Sequence, residues 1–148
     1  MQKHVLLVDD DQASLEMSRR ALEQSDHAVT VASTGVEACR ALRAMRFDVV
    51  VTDIFMPDMD GLELIRHIRS HDKTLPIIAV SGGGTRTALG FLPVASALGA
   101  DLALQKPVLP RVLREAILYA TADRLLAGAA PAAEGALPTG SGGKAASR

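Results

Sequence analysis

The sequence predicts a doubly wound α/β fold, a five-stranded parallel sheet with helices on both faces, and three observations carry that expectation. Short β-branched runs alternate with longer segments of helical periodicity, the pattern of repeated βαβ units. Four of the runs, VLLV, VVVT, IIAV and LALQ, end on residues able to handle phosphate or metal, and in a parallel sheet such ends meet on one edge. With 148 residues, 48% of them apolar but only 3% aromatic and no Trp, one aliphatic core of Ala-rich helices on a Val-rich sheet suffices.

The elements follow in order. A first strand is expected over about Lys3 to Val8, then a helix from near Gln12 to Gln24 whose inward stripe is Ser14, Met17, Ala21 and Leu22. His27 to Ala32 reads as the second strand. Ser33 or Thr34 caps a helix to Arg46, with Val36, Cys39, Leu42 and Met45 facing inward. Phe47 leads into the central strand, Val49 to Thr52. In the loop IFMPDMDG, Pro57 restricts the backbone and Gly61 releases it, and a third helix runs to about Ser70 with Leu62, Ile65 and Ile68 against the sheet.

Pro76 opens the fourth strand, Ile77 to Val80, and SGGGTR reads as a flexible turn. Pro93 suits the first turn of a short fourth helix, where its missing N–H is harmless, and Gly99 ends that helix. Asp101 to Leu104 is the fifth strand. The last helix spans Val108 to about Leu126, with Val112, Leu113, Ala116, Ile117 and Ala120 apolar. Residues 1–126 are thus expected to fold. Residues 127–148, rich in Ala, Gly, Pro and Ser, lack an apolar face to offset ordering entropy and read as a disordered tail with no output domain after it.

Composition also excludes. A net charge of -1 and no isolated cluster of Lys and Arg supply no field for direct nucleic-acid binding. The single cysteine cannot form an internal disulfide, and its helical spacing with Val36 and Leu42 makes Cys39 a buried small hydrophobe. The strand-like start leaves no room for a signal peptide, and no run is long enough to span a membrane, so a cytoplasmic protein is expected. His4, His27, His67 and His71 read as structural or solvated, without metal-ligand spacing.

Chemistry concentrates at the four run ends. Asp9 and Asp10 follow the first, Asp53 the central one, Ser81 the fourth and Lys106 the fifth. Ligand sites in open parallel sheets lie outside the carboxyl ends of the strands, so three carboxylates, a hydroxyl and an ammonium would share one pocket. That is an inventory for phosphoryl transfer. Asp11 reads as a helix N-terminal acid, and Asp58 and Asp60 as loop and capping groups.

VLLVDDD, VVVTDIFMPDMDG, IIAVSGG and LALQKP, in this order and spacing, resemble the receiver domain of two-component response regulators over roughly residues 3 to 125. The resemblance implies a flavodoxin-like sheet of order 2-1-3-4-5 and a phosphoacceptor at Asp53. It implies Mg²⁺ held directly by Asp10, Asp53 and the backbone carbonyl of Phe55, with Asp9 holding a coordinated water. Lys106 would pair with one phosphoryl oxygen and Ser81 would donate to another, and the Lys106-Pro107 bond would be cis. The implied partners are a histidine kinase or histidine phosphotransfer protein as donor and a downstream protein as reader. Such a domain catalyses its own phosphorylation and dephosphorylation and is no turnover enzyme on an external substrate.

Two positions depart from the family pattern. Ala103 stands three residues before the lysine, where Tyr or Phe is common, and Val108 replaces a frequent Phe after Lys-Pro. Either the output face switches by another route, or the protein passes or drains phosphoryl groups. Two further readings stay open. LLVDDDQ also has the strand-then-DxD arrangement of haloacid-dehalogenase-type phosphatases, with Asp9 as nucleophile and Asp11 as acid, though DxxMPxMDG is then unexplained. SGGGT could serve a flavodoxin-like binder as a phosphate loop, but it follows the wrong strand and few aromatics exist to stack a flavin.

Overall fold

The computed structural model describes residues 1–82 and 93–129. Five parallel strands, β1 (His4–Val8), β2 (Ala28–Ala32), β3 (Val49–Asp53), β4 (Ile77–Ser81) and β5 (Leu102–Gln105), pair in the order β2-β1-β3-β4-β5. The helices are α1 (Gln12–Glu23), α2 (Gly35–Ala44), α3 (Gly61–His71), a short α4 over the described residues 93–98, and α5 (Pro110–Ala129). The sheet order and the doubly wound arrangement match the expectation. The SGGGTR turn from residue 83 on and the tail from residue 130 on lie outside the described residues.

Strand alternation divides the core into two layers. Leu6, Val8, Val50, Ile54, Ile77 and Ala79 face α2, α3 and α4, meeting Ala38, Cys39, Leu64, Ile65, Ile68 and Ala95. Val5, Leu7, Val49, Val51, Ile78 and Val80 face α1 and α5, meeting Leu15, Leu22, Leu113, Ala116 and Ile117. The sheet is therefore covered on both sides. β3 is buried along its whole length and sits beside β1 and β4, which explains its uninterrupted VVVT sequence.

The inward faces of two helices differ from expectation. Met17 is 65% exposed, and α1 buries Leu15, Ala21 and Leu22. α2 ends at Ala44; its Val36 is exposed, as is Met45 just past its end, while Gly35, Ala38 and Cys39 are buried. Helical periodicity leaves neighbouring stripes open, and here the stripe of smallest side chains wins because α2 packs closely. A Cβ on Gly35 would stand 2.7 Å from the Met59 Cβ. α5 begins at Pro110 rather than Val108 and continues past Leu126 through Ala129.

Polar groups fix the edge of the sheet opposite the carboxyl ends. Arg69 of α3 donates to the carbonyls of Gly99, Asp72 and Leu75 and pairs with Asp101, whose carboxylate also accepts the Ile77 N–H. Gly99 ends α4 with φ +117°, a conformation that favours glycine. His27, only 8% exposed, accepts the Lys3 N–H on Nδ1 at 3.2 Å. A protonated ring would lose that acceptor.

Burial holds the His27 pKa below its ordinary 6.5. Between the folded value and 6.5 the unfolded chain binds more protons, so this contribution to stability is complete above 6.5 and is lost as pH falls through that window. Urea midpoints measured across this range should decline with falling pH. His27→Asn should flatten the decline; an unchanged slope in the variant would assign it to other groups.

Candidate functional site

The carboxyl ends of β1, β3, β4 and β5 deliver Asp9, Asp53, Ser81 and Lys106 to one edge of the sheet. Lys106 unites two of them with itself. Its Nζ donates to Asp9 Oδ2 at 2.9 Å and to Asp53 Oδ2 at 3.0 Å, and all three side chains are largely buried. The second oxygen of each carboxylate is held by backbone: the Asp11 N–H donates to Asp9 Oδ1 at 3.0 Å, and the Phe55 N–H to Asp53 Oδ1 at 3.2 Å.

Electrostatics in this pocket follow from burial. Desolvation raises the Asp53 pKa, and its bond and attraction to Lys106 oppose the rise without cancelling it. Burial pulls Lys106 down, but the bonds from Asp9 and Asp53 outweigh it and the net shift is upward. The ammonium therefore stays charged between two acids. Asp10 is exposed, and one oxygen each from Asp9, Asp10 and Asp53 lie within 4.8 Å of one another. Such a sparse set of hard oxygen donors fits Mg²⁺, which keeps several waters.

Ser81 is fully buried at the end of β4, and its hydroxyl has no hydrogen-bond partner among the described residues. An orphaned buried hydroxyl costs about 1–3 kcal/mol, and its retention calls for an explanation such as a bound group it can donate to. The Lys106-Pro107 bond is cis, as the resemblance implies. Phe55 stands in the turn directly after β3, with a partly exposed side chain. Asp11 caps α1, accepting from Ala13 and Ser14, and Asp60 caps α3, accepting from Glu63. Both act as end groups, which occupies the acid that a DxD phosphatase would need.

Glycines supply what sequence reading missed. Gly61 does not release the loop; it begins α3, and its N–H donates to the Ile54 carbonyl at 2.8 Å. A Cβ there would collide with the Asp53 carbonyl oxygen and stand 2.7 Å from Ile54 Cα. Gly82 makes room for the stem of Lys106, whose Cδ would lie 2.7 Å from an added Cβ. The D-G of MPDMDG was the visible signal, but only the close approach of α3 to β3 shows its meaning. Thr52, fully buried, donates to the Asp53 carbonyl at 2.9 Å.

A parallel sheet whose carboxyl edge joins acids, an ammonium and an orphaned hydroxyl carries groups suited to holding a divalent cation and a phosphoryl group. Residues 5–118 match the family of response regulator receiver domains, and the chain belongs to that family. It is 38% identical over 107 residues to the response regulator MprA of Mycobacterium sp. strain KMS, spanning 72% of this chain and 45% of that protein. The chain thus spans about half the length of the curated relatives it matches. The receiver domain protein of Clostridium thermocellum superposes with a TM-score of 0.77 at 29% identity, over 83% of this chain and 97% of that one. A receiver domain protein of Methanospirillum hungatei gives 0.75 at 31% identity, over 85% and 98%. Receiver domains are signalling modules that bind Mg²⁺ in an acidic pocket and are phosphorylated by histidine kinases. Among the described residues no helix is long and apolar enough to cross a membrane.

Gly61→Ala should destabilise the fold by about 1–3 kcal/mol, because the clash is with backbone that cannot swing aside. Urea denaturation checks this. A change below a few tenths would mean that α3 can retreat from β3.

Proposed function

We propose that the chain is a cytoplasmic receiver that accepts a phosphoryl group on Asp53 from a histidine kinase or histidine phosphotransfer protein and signals by changing what binds it. The observation that carries the reading is Lys106, held between the buried Asp9 and Asp53 at 2.9 and 3.0 Å. Anionic attack on an anionic phosphoryl group is limited by charge, and catalysis is mostly positioning and neutralisation. An ammonium already placed on the acceptor supplies part of that neutralisation.

Asp53 is the nucleophile: one carboxylate oxygen forms the bond to phosphorus while the phosphorus–nitrogen bond of a phosphohistidine breaks and the imidazole leaves with the electron pair. Asp10, Asp53 and the Phe55 carbonyl would hold Mg²⁺, with Asp9 holding a coordinated water. When bound, that ion supplies positive charge to the phosphoryl oxygens. Lys106 leaves Asp53 for a phosphoryl oxygen while keeping Asp9. The Ser81 hydroxyl, without a partner among the described residues, donates to another.

Ala103 favours a second reading of the output. It faces the α4 side of β5, paired in register with Ala79, and the position itself carries no aromatic ring to report on Ser81. A phosphoryl shuttle or sink needs no such report.

Incubation with Mg²⁺ and a small phosphodonor should give one hydroxylamine-sensitive phosphoryl group on Asp53. Asp53→Asn should abolish it, whereas label on Asp9 would overturn the assignment. Phe55 lies two residues past Asp53, where bulk would slow attack of water on an acyl phosphate, so the label should be long-lived in the isolated folded protein. Phe55→Ala should shorten its lifetime severalfold; fast loss from the parent chain would sink the idea.

A further inference from the structure

α3 carries a second chemical feature, away from the carboxylate pocket. His67 and His71 do have ligand spacing, contrary to the sequence reading: they stand four residues apart on one helix face, with ring centroids 4.6 Å apart at 41°. His67 is half-buried and His71 exposed.

The hydrogen bonds of His71 fix which nitrogen is available. Its Nδ1 lies 2.9 Å from the His67 carbonyl oxygen and 2.8 Å from Ser70 Oγ. A carbonyl only accepts, so Nδ1 carries the proton. Ser70 gives its own hydrogen to the same carbonyl at 2.6 Å, which leaves its oxygen to accept from Nδ1. The neutral ring therefore has its lone pair on Nε2. Metal-bound imidazoles are held this way, with the other N–H tied to a carbonyl. His71 also lies in the last turn of α3, where the helix dipole favours a cation.

We propose that His67 and His71 form a bidentate site for a borderline transition-metal ion, Zn²⁺, Ni²⁺ or Cu²⁺, with water completing the coordination. Two nitrogens bound to one tetrahedral zinc at about 2.0–2.1 Å stand roughly 3.3 Å apart. Ring centroids 4.6 Å apart admit that separation after a small ring rotation. Imidazole nitrogen selects these ions, whereas the all-oxygen set of Asp9, Asp10 and Asp53 suits Mg²⁺, so the two sites sort metals by ligand chemistry. Among the described residues no third His, Cys, Asp or Glu joins the pair, which makes the site one of moderate affinity. Occupancy clamps the last turn of α3, the helix that follows the Asp53 loop.

Untagged, chelator-stripped protein in excess Mg²⁺ is titrated with Zn²⁺ by calorimetry. One equivalent should bind in the micromolar range. His67→Ala and His71→Ala should each weaken binding by more than about tenfold, the scale on which even outer partners of metal ligands matter. Cys39→Ala and Asp53→Asn should leave it unchanged. Imidazole ¹H–¹⁵N spectra of the unaltered protein give an independent readout, with Zn²⁺ shifting His67 and His71 and sparing His4 and His27. No binding up to millimolar Zn²⁺, binding that survives loss of both histidines, or shifts confined to His4 or His27 would overturn the proposal.

Discussion

The Lys106 ammonium joins three strands at their carboxyl ends, and the local architecture is organised around keeping it there. Asp9 and Asp53 are buried neighbours on β1 and β3, and two carboxylates so placed repel unless a cation lies between them. Lys106 brings that cation from β5, with Gly82 clearing the path for its stem. Backbone N–H groups of Asp11 and Phe55 hold the remaining carboxylate oxygens, so each acid has a fixed orientation before any ligand arrives. The arrangement supplies preorganisation, charges and dipoles fixed in place ahead of any ligand.

What the sequence made legible was the set of strand ends. Each apolar run is short and terminates on a residue whose chemistry would be wasted inside a core, so Asp9, Asp53, Ser81 and Lys106 could be placed on one edge without coordinates. Helix faces were harder. On α1 and α2 more than one stripe satisfies the same periodicity, and the choice between them depends on how closely the helix approaches the sheet. That distance is set by residues remote in sequence, such as Met59 against Gly35. Gly61 shows the same limit: its role is the space it leaves for Asp53, which no local rule reveals. Arg69 was equally invisible, because its partners at Asp72, Leu75, Gly99 and Asp101 become neighbours only after β4 and β5 pair.

The two edges of the sheet follow opposite logic. At the amino edge Arg69 and Asp101 tie α3, β4 and the end of α4 together, and Asp48 accepts the His4 N–H to anchor β1. Those groups hold their positions through hydrogen bonds already made. At the carboxyl edge the Ser81 hydroxyl lacks a partner among the described residues, and Lys106 is shared between two acids. A bound phosphoryl group would change the balance only at this second edge, by offering Ser81 an acceptor and Lys106 a stronger one.

How such a change could travel is constrained by Ala103. Leu102 and Leu104 pack on the α1 and α5 side, so alternation turns Ala103 to the opposite face, in register with Ala79. Alanine has no side-chain torsion, so this position cannot store two states as an aromatic rotamer would. At the far end of α4, Arg69 of α3 holds the Gly99 carbonyl, so that end is tied to its neighbour by a hydrogen bond already made. The bridge from Lys106 to Asp9 and Asp53 makes no use of the side chain at position 103, so the identity of that residue bears on how a change is read out and leaves the pocket itself intact.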